Sequence, residues 1–490
     1  MGKPSVEADV VVTTELDQAA HHSPEFPTST ACLIGLAVVS LCGAGSFIAG
    51  LIVCSKPTIQ FRATRFVRDL LPLIINILLT VGTEVLGFVH ATTLKWALFH
   101  EGRLNFNANL RLLTSSSTSA PNSAYSNALY LIALAVCYAS CPLILVTNNT
   151  TYDNDDALED QAMRVLSGPA LLCLGGSLLI MCAICVWSLY VSDSLVWSSC
   201  PLATLALAIE SGQPRRLGRA MMSVESKDMP ATGQKPTNRQ CSAYSACKQV
   251  RWVVVGLVSV LLFLIIKTTV AFVITPNAFP AMPGWGMVPV TSTPDTILNI
   301  FKVDARDKGR SPAVGLLCGL LITAGFQSIL TIGMHCAELQ ITLARDEKIW
   351  RSISSNAGRS TRSESPLRLR IGSWESITLI IFVPVIHWQY GLAVTVDYLG
   401  QVHFYVPQMC YLTMMWALFL GFALSISLRR PRGPLPATYG HVQCMLDLTD
   451  EWANHIFWGD KGHYKLGDVL RTAGTADTKL PEPDMRAEYA

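Results

Sequence analysis

The sequence is short of charge and of familiar catalytic motifs. Charged residues make up 15% of the 490 residues, against about 25% in soluble globular proteins. It holds no HExxH, Walker loop, GxSxG or GxGxxG in the context those motifs need. A net charge of +2, without a basic stripe interleaved with aromatics, gives no support for nucleic-acid binding. The sequence therefore predicts no catalytic residue, cofactor or metal, and it does not favour an enzyme.

The missing charge is replaced by long apolar runs, each close to the ~20 residues that cross a hydrocarbon core of ~30 Å. They lie at 31–54, 70–90, 127–147, 167–190, 252–275, 312–335, 374–396 and 404–428. The mean hydropathy is +0.37. These runs predict an all-α fold: a polytopic transmembrane helix bundle of about eight spans. Most of the 15 cysteines lie in such runs, so the CxxC of Cys182 and Cys185 is interpreted as two buried small side chains.

The polar remainder divides the chain into three regions. Residues 1–30 form an acidic polar tail, 31–428 the bundle, and 429–490 a C-terminal tail. Within the bundle, the basic loops 191–251 and 336–370 are predicted to be cytosolic, with a short interfacial helix that starts near Pro201. Their stretches 211–250 and 352–370 are predicted to be flexible.

The C-terminal tail contains apolar residues at helical spacing. They are Val442, Met445, Leu448, Trp452 and Ile456. Such a stripe predicts an amphipathic cytosolic helix that docks on the bundle or the membrane surface. Histidine and acidic residues in the same stretch leave a ligand site open as an alternative.

The Lys/Arg distribution predicts the orientation. With eight spans and a cytosolic N-terminus, the cytosolic segments hold 27 of the 37 Lys/Arg and the outer segments hold 9. The acidic loop after 147 then faces outward, and its Asn148 and Asn149 are candidate glycosylation sites. The alternative is seven spans with the N-terminus outside, in which run 70–90 does not cross and the basic segment 55–69 becomes cytosolic. Both interpretations place the C-terminus in the cytosol. The membrane is predicted to be the plasma membrane or another membrane of the secretory pathway.

Polar residues inside the runs are costly in lipid and therefore mark functional candidates. Depth along each helix, at 1.5 Å per residue, sorts them into an inner layer of Glu84 and Gln327 and an outer layer of Lys267 and His387. His90 and His335 border the inner layer, and Gln389 and Tyr390 belong to the outer one. The structural alternative is that Lys267 extends to the outer interface and Glu84 is satisfied by a neighbouring helix.

Small and polar residues predict which helix faces are packed. Asn76, Thr80, Thr83 and Gly87 recur along one face of run 70–90, which should point into the bundle. Small residues at packing spacing also occur in other runs: Gly45 with Ala49, and Gly315 with Gly319 and Thr323. His335 and Glu338 could place two metal ligands on one helix face, but no third ligand accompanies them.

The stretch HATTLKWALFHEGRLNFNANLRLL, residues 90–113, is the polar end of a predicted span. Trp96 and Phe99 would anchor at the membrane interface, and Lys95 and Arg103 would face lipid headgroups. The asparagines and Arg111 would satisfy loop backbone or bind a partner.

Together with VSDSLVWSSCPL, MHCAELQITLARDEKIW and YGHVQCMLDLTDEW, this stretch resembles a family of uncharacterised multi-pass membrane proteins of filamentous fungi. The resemblance implies an integral membrane protein and brings no activity.

Two classes of function remain open. One is a receptor-like or scaffolding protein whose cytosolic loops and tail recruit protein partners. The other is a transporter or channel-like protein with a polar path built on Glu84, Lys267 and His387. The bilayer is the one partner that the composition indicates directly, and the sequence does not name a ligand.

Overall fold

The computed structural model describes residues 28–56, 59–62, 65–147, 163–192, 196–229, 233–274, 286–287, 297–299, 312–362, 368–369, 372–397, 400–463 and 470–490. Eight helices within them are long and apolar enough to cross a membrane. In chain order they are α1 Thr28–Ser55, α2 Arg65–His100, α3 Ala124–Ser140, α4 Gly168–Val191, α7 Lys248–Ile274, α8 Pro312–Arg351, α9 Trp374–Ala393 and α10 Val406–Leu428. The described residues also include three shorter α-helices: α5 Pro201–Glu210, α6 Ala243–Ala246 and α11 Val442–Asp447.

The described residues also form three small antiparallel sheets, which an all-α prediction did not include. The strands are β1 Gln60–Arg62, β2 Leu145–Thr147, β3 Met163–Leu166, β4 Ile297–Asn299, β5 Arg359–Ser360, β6 Val394–Val396, β7 Val402–Tyr405, β8 His455–His463 and β9 Arg471–Ala476. Their orders are β1-β3-β2, β4-β7-β6 and β5-β8-β9. The backbone outside the helices pairs in this way because a buried N–H or C=O needs a partner.

The sheets reveal how the helices alternate. The first joins the α1–α2 and α3–α4 connections, and the second joins the α7–α8 and α9–α10 connections. These two sheets contact each other through β2 and β6, so they lie at the same end of the bundle. The remaining connections and the chain after α10 meet at the other end, where Phe106 pairs with His441 and Arg239 with Arg432. Each of the eight long helices, α2 included, therefore runs from one end of the bundle to the other.

The bundle core contains the predicted polar face of α2. Asn76, Thr80 and Thr83 are each about 1% exposed, and their side chains bond to carbonyls one turn earlier or, for Thr83, also to Tyr138. Cys182 and Cys185 are buried without a disulfide. Both predictions are confirmed.

The close approach of α1 to α4 depends on glycines other than the predicted ones. Gly43 and Gly50 face α4 at distances where a Cβ would contact its backbone or side chains. Gly45 has nothing within 4 Å of an added Cβ, so its predicted packing role is wrong. Gly45 and Ala49 lie on a different face of α1 from the one that Gly43 and Gly50 present to α4.

A second hydrophobic core lies at the end of the bundle where the chain terminates. Segments 198–247, 345–362 and 431–490, as far as they are described, build it, and we call them the C-terminal layer. Its buried side chains include Leu205, Met221, Trp350, Leu448 and Trp458. The predicted helix near Pro201 is present as α5 and packs on α11 and α8.

The layer differs from the loops and the long helix that the sequence predicted. Residues from 211–250 and 352–370 contribute buried side chains and the paired strand β5. The amphipathic helix is only the six residues of α11. The stripe breaks after Leu448 because Asp450 binds the Thr475 amide at 2.6 Å, and Ile456 enters the core from strand β8 instead.

Candidate functional site

A polar cavity lies where the bundle meets the C-terminal layer. It has a volume of about 130 Å³. Its walls come from α2, α8 and α9 and from the connections at 107–111 and 198–199. Its charged lining consists of Lys95, Arg111, Arg345 and Glu338, with His335 beside them. The lining therefore presents three cations and one carboxylate.

Lys95 enters this site from α2 and is buried. Its Nζ donates to the Ser198 carbonyl at 2.7 Å and lies 4.8 Å from the Trp96 ring centroid. The Trp96 indole is also buried and donates to the Val196 carbonyl at 3.0 Å. The prediction that these side chains meet lipid was wrong, because the 196–204 connection folds over this face of α2. Arg103 does stay exposed, in an ion pair with Glu101.

Arg111 reaches the cavity from the α2–α3 connection. Its Nη2 lies 3.4 Å from His335 Nδ1, and its guanidinium lies 5.6 Å from the Tyr130 ring. Burial lowers the pKa of Arg111, but Tyr130, Glu338 and Glu84 raise it, and the pKa stays above its ordinary value. A side chain at Gly87 would collide with this guanidinium, so glycine here makes room for the cation.

Asn107 connects the cavity wall to three other segments. Its Nδ2 donates to Asp346 Oδ2 at 2.8 Å and to the Ser199 carbonyl at 3.0 Å. Its Oδ1 accepts from Thr204 Oγ1 at 2.7 Å. Its backbone amide donates to the Gly440 carbonyl at 2.9 Å. A buried amide with its donors and acceptor engaged holds these segments in one arrangement.

The chain around Gly440 is fastened on both sides of this contact. The Val442 amide donates to the Asn105 carbonyl at 2.9 Å. On α8, Glu347 Oε2 accepts from the Thr438 and Tyr439 amides, each at 2.9 Å. These bonds hold Tyr439 at φ 49°, a backbone conformation that non-glycine residues seldom adopt. The cavity wall and segment 438–442 are thus one hydrogen-bonded unit.

The candidate metal pair falls in the same cavity. His335 and Glu338 both line it, and His335 contacts Arg111. Among the residues that the structure describes, no group of three or more His, Cys, Asp or Glu side chains could hold a metal ion. The geometry places the pair in a polar pocket beside a guanidinium.

The four intramembrane candidates are arranged differently from the two predicted layers. Gln327 Nε2 lies 2.9 Å from His387 Nδ1. This contact joins Gln327 of the predicted inner layer to His387 of the predicted outer layer. The depth estimate was wrong because α8 does not end near 335 but continues to Arg351. Glu84 is half-buried and raises the pKa of Arg111, which lies on the α2–α3 connection.

His387 belongs to a buried polar chain in the bundle. Its ring stacks on Tyr138 with centroids 3.7 Å apart, and the Tyr138 hydroxyl lies 2.9 Å from Thr83 Oγ1. The Tyr390 hydroxyl donates to the Thr323 carbonyl at 3.0 Å. These contacts join α2, α3, α8 and α9.

Lys267 lies among aromatic rings. Its Nζ is 4.9 Å from the Phe326 ring centroid, 4.7 Å from that of Phe404 and 5.8 Å from that of Tyr390. Cation–π attraction of this kind stabilises an ammonium in an apolar setting. The predicted neighbourhood with Tyr390 is therefore present. The candidate glycosylation sites Asn148 and Asn149 lie outside the described residues.

Sequence reasoning missed Arg345, Asp346 and Tyr138 as parts of these clusters. One signal was available, because His335, Glu338, Thr342 and Arg345 recur at helical spacing and all line the cavity. The Asn107–Asp346 contact spans 239 residues of sequence, and no local pattern indicates it.

No family model, no curated protein and no solved structure matches this chain.

Proposed function

We propose that the protein is a receptor-like integral membrane protein in which the polar cavity binds a small ligand and the C-terminal layer responds to it. The observation that carries the proposal is Asn107, which borders the cavity and bonds to Gly440 in the layer. A ligand that moves the 107–111 wall by a fraction of an ångström must strain or break these bonds, because packed interfaces of this kind switch between discrete arrangements.

The proposal includes a topology. Eight helices that alternate end to end support eight spans, and the Lys/Arg excess supports a cytosolic C-terminal layer that is available to protein partners. Protease digestion of an N-terminal tag in sealed microsomes, with a C-terminal tag as control, tests it. Digestion of both tags is expected, and protection of the N-terminal tag would leave the seven-span alternative. The resemblance to a fungal membrane protein family stays a prediction.

Ligand response is tested on the full chain in nanodiscs, with a small-molecule extract of the source cells as the probe. Hydrogen exchange should slow in the cavity wall, residues 88–111 and 335–345, and should change in 437–449. The Asn107→Leu variant retains the backbone bond to Gly440 but loses the side-chain bonds to Asp346, Ser199 and Thr204. It should therefore keep the first effect and weaken the second. Protection of the wall with no change in 437–449 of the wild type would contradict coupling, and no protection anywhere would contradict ligand binding.

A transporter is the second candidate, because a buried polar chain continues from the cavity into the bundle. His335 at the cavity and Gln327 beside His387 are eight residues apart on α8, which is about 12 Å of helix. Uptake of extract solutes into proteoliposomes that carry the protein tests it, with the His387→Leu variant as comparison. Uptake that His387→Leu abolishes would favour transport over the receptor-like function.

A further inference from the structure

The cavity contains cationic N–H groups without acceptors. Arg111 Nη1 and Arg345 Nε are buried and have no hydrogen-bond partner among the described residues. The Arg345 side chain is 10% exposed. An unsatisfied buried donor costs about 1–3 kcal/mol, and more when the group is charged.

The contacts these cations do make are weak or neutral. Arg345 Nη2 lies 3.4 Å from the Ser199 carbonyl and 3.5 Å from Asp346 Oδ1, both at the outer limit of a hydrogen bond. Lys95 donates to a carbonyl and a hydroxyl. The side chains of Arg345 and Lys95 therefore each keep N–H donors that a further acceptor can use.

Nearby carboxylates offset the charge from behind the lining. Glu84 and Asp346 act on Arg111 and Lys95, and neither lines the cavity. Glu338 is the one carboxylate among the described lining residues. The cavity therefore presents directed hydrogen-bond donors whose positive charge is largely offset by nearby carboxylates. Such a site should select a ligand by the geometry of its acceptor atoms more than by long-range attraction.

We propose that the polar cavity binds an oxyanion, a phosphate or carboxylate group carried by a small solute or by a lipid headgroup, with Arg111, Arg345 and Lys95 as its donors. This inference rests on the proposed ligand-binding function and names the ligand's chemistry. Guanidinium groups donate to such oxygens through paired, charge-assisted bonds. The volume of about 130 Å³ limits the bound part to a small group, and Phe88, Leu379 and Ile380 offer apolar contacts to what carries it.

The test uses the full chain in phosphatidylcholine nanodiscs and follows the thermal unfolding midpoint. Inorganic phosphate and acetate are titrated in one arm, and phosphatidic acid replaces part of the lipid in the other. A saturable rise in the midpoint is expected in at least one arm, and the responding arm tells a solute from a headgroup. Arg111→Gln and Arg345→Gln should weaken the response by at least about tenfold, roughly 1.4 kcal/mol per tenfold.

Arg103→Gln is the matched control, since it lies on the same connection but pairs with Glu101 away from the cavity. It should respond like the wild type. If an arginine variant does not fold, Thr342→Phe fills the cavity with all three cations retained and should also abolish the response. No response in either arm, or equal responses from wild type and these variants, would overturn the proposal.

The two proposals fail separately. Protection by cell extract without any response to phosphate, acetate or phosphatidic acid would reject the oxyanion and keep the receptor-like function. A saturable oxyanion response without any change in 437–449 would keep this inference and reject the coupling.

Discussion

The helix bundle and the C-terminal layer satisfy their polar groups in different ways. In the bundle, Thr80, Thr323 and Thr331 bond to carbonyls one turn earlier in their own helices. In the layer, carboxylates bind amides of distant segments, as Glu347 binds Thr438 and Asp450 binds Thr475. A helix in lipid completes its backbone bonds alone, whereas irregular chain needs partners.

This difference predicts which region unfolds first. Each bundle helix keeps its backbone bonds when a neighbour moves, but removing one contact in the layer leaves buried donors and acceptors unpaired. The layer should therefore open locally while the bundle stays folded. Four substitutions sharpen or break this comparison.

The largest effect is expected from Trp350→Ala in the layer core. Trp350 is fully buried and its indole donates to the Pro436 carbonyl at 3.3 Å. Loss of a buried Trp costs about 3–5 kcal/mol. Hydrogen exchange should accelerate throughout 431–463 and stay unchanged in α3 and α4. Trp252→Ala, at a side chain 65% exposed, is the control, and equal acceleration in the bundle would contradict independent opening.

Gly175→Ala tests the bundle with a similar but smaller cost. An added Cβ would lie 2.6 Å from the Gly43 carbonyl oxygen on α1 and would also meet backbone of Phe47. Overpacking against backbone costs about 3 kcal/mol. The adjacent Gly176→Ala meets only ring atoms at 3.9 Å and should be neutral. Unfolding in mixed micelles measures both, and indistinguishable variants would disprove the close α1–α4 approach.

The third prediction is a pH dependence of the layer. His441 Nδ1 accepts from the Cys444 amide at 3.2 Å at the start of α11. Burial, and then Lys227 and Arg216, lower the pKa of His441 to about 4 against the opposing effect of Asp447 and Asp228. The unfolded state therefore binds the proton first as pH falls, and stability drops below about pH 6.5.

The expected loss between pH 7.5 and 5 is about 2 kcal/mol from this group. Hydrogen exchange of 437–449 measures it. His441→Asn retains a capping acceptor without a titration and should flatten the pH profile. An unchanged slope in this variant would assign the pH dependence to other groups.

The smallest effect is expected from Arg216→Gln. Arg216 donates to Asp447 Oδ2 at 2.6 Å through Nη2 and at 2.9 Å through Nε, but its side chain is 37% exposed. Because the side chain is partly exposed, the loss of stability should be about 1 kcal/mol. The thermal midpoint of the layer should fall slightly and recover little with Arg216→Lys, because lysine cannot make the paired contact. Full recovery of the thermal midpoint in Arg216→Lys would show that a positive charge beside Asp447 is enough to stabilise the layer.

The sequence alone determined the eight long helices and the inward polar face of α2, since both follow from local periodicity: apolar runs long enough to cross a bilayer, and residues recurring every three or four positions. It also placed Gln327 and His387 inside the bundle, although it paired them wrongly.

Only the tertiary structure decided the cavity and the C-terminal layer. Both are built from contacts between segments far apart in sequence, such as Asn107 with Asp346 and Arg216 with Asp447. The apolar residues from 442 to 456 follow a helical period, yet Val442 and Met445 lie in α11 and Ile456 lies in β8. The local sequence pattern cannot predict such bonds, because they stabilise the fold only when the distant partner is in place.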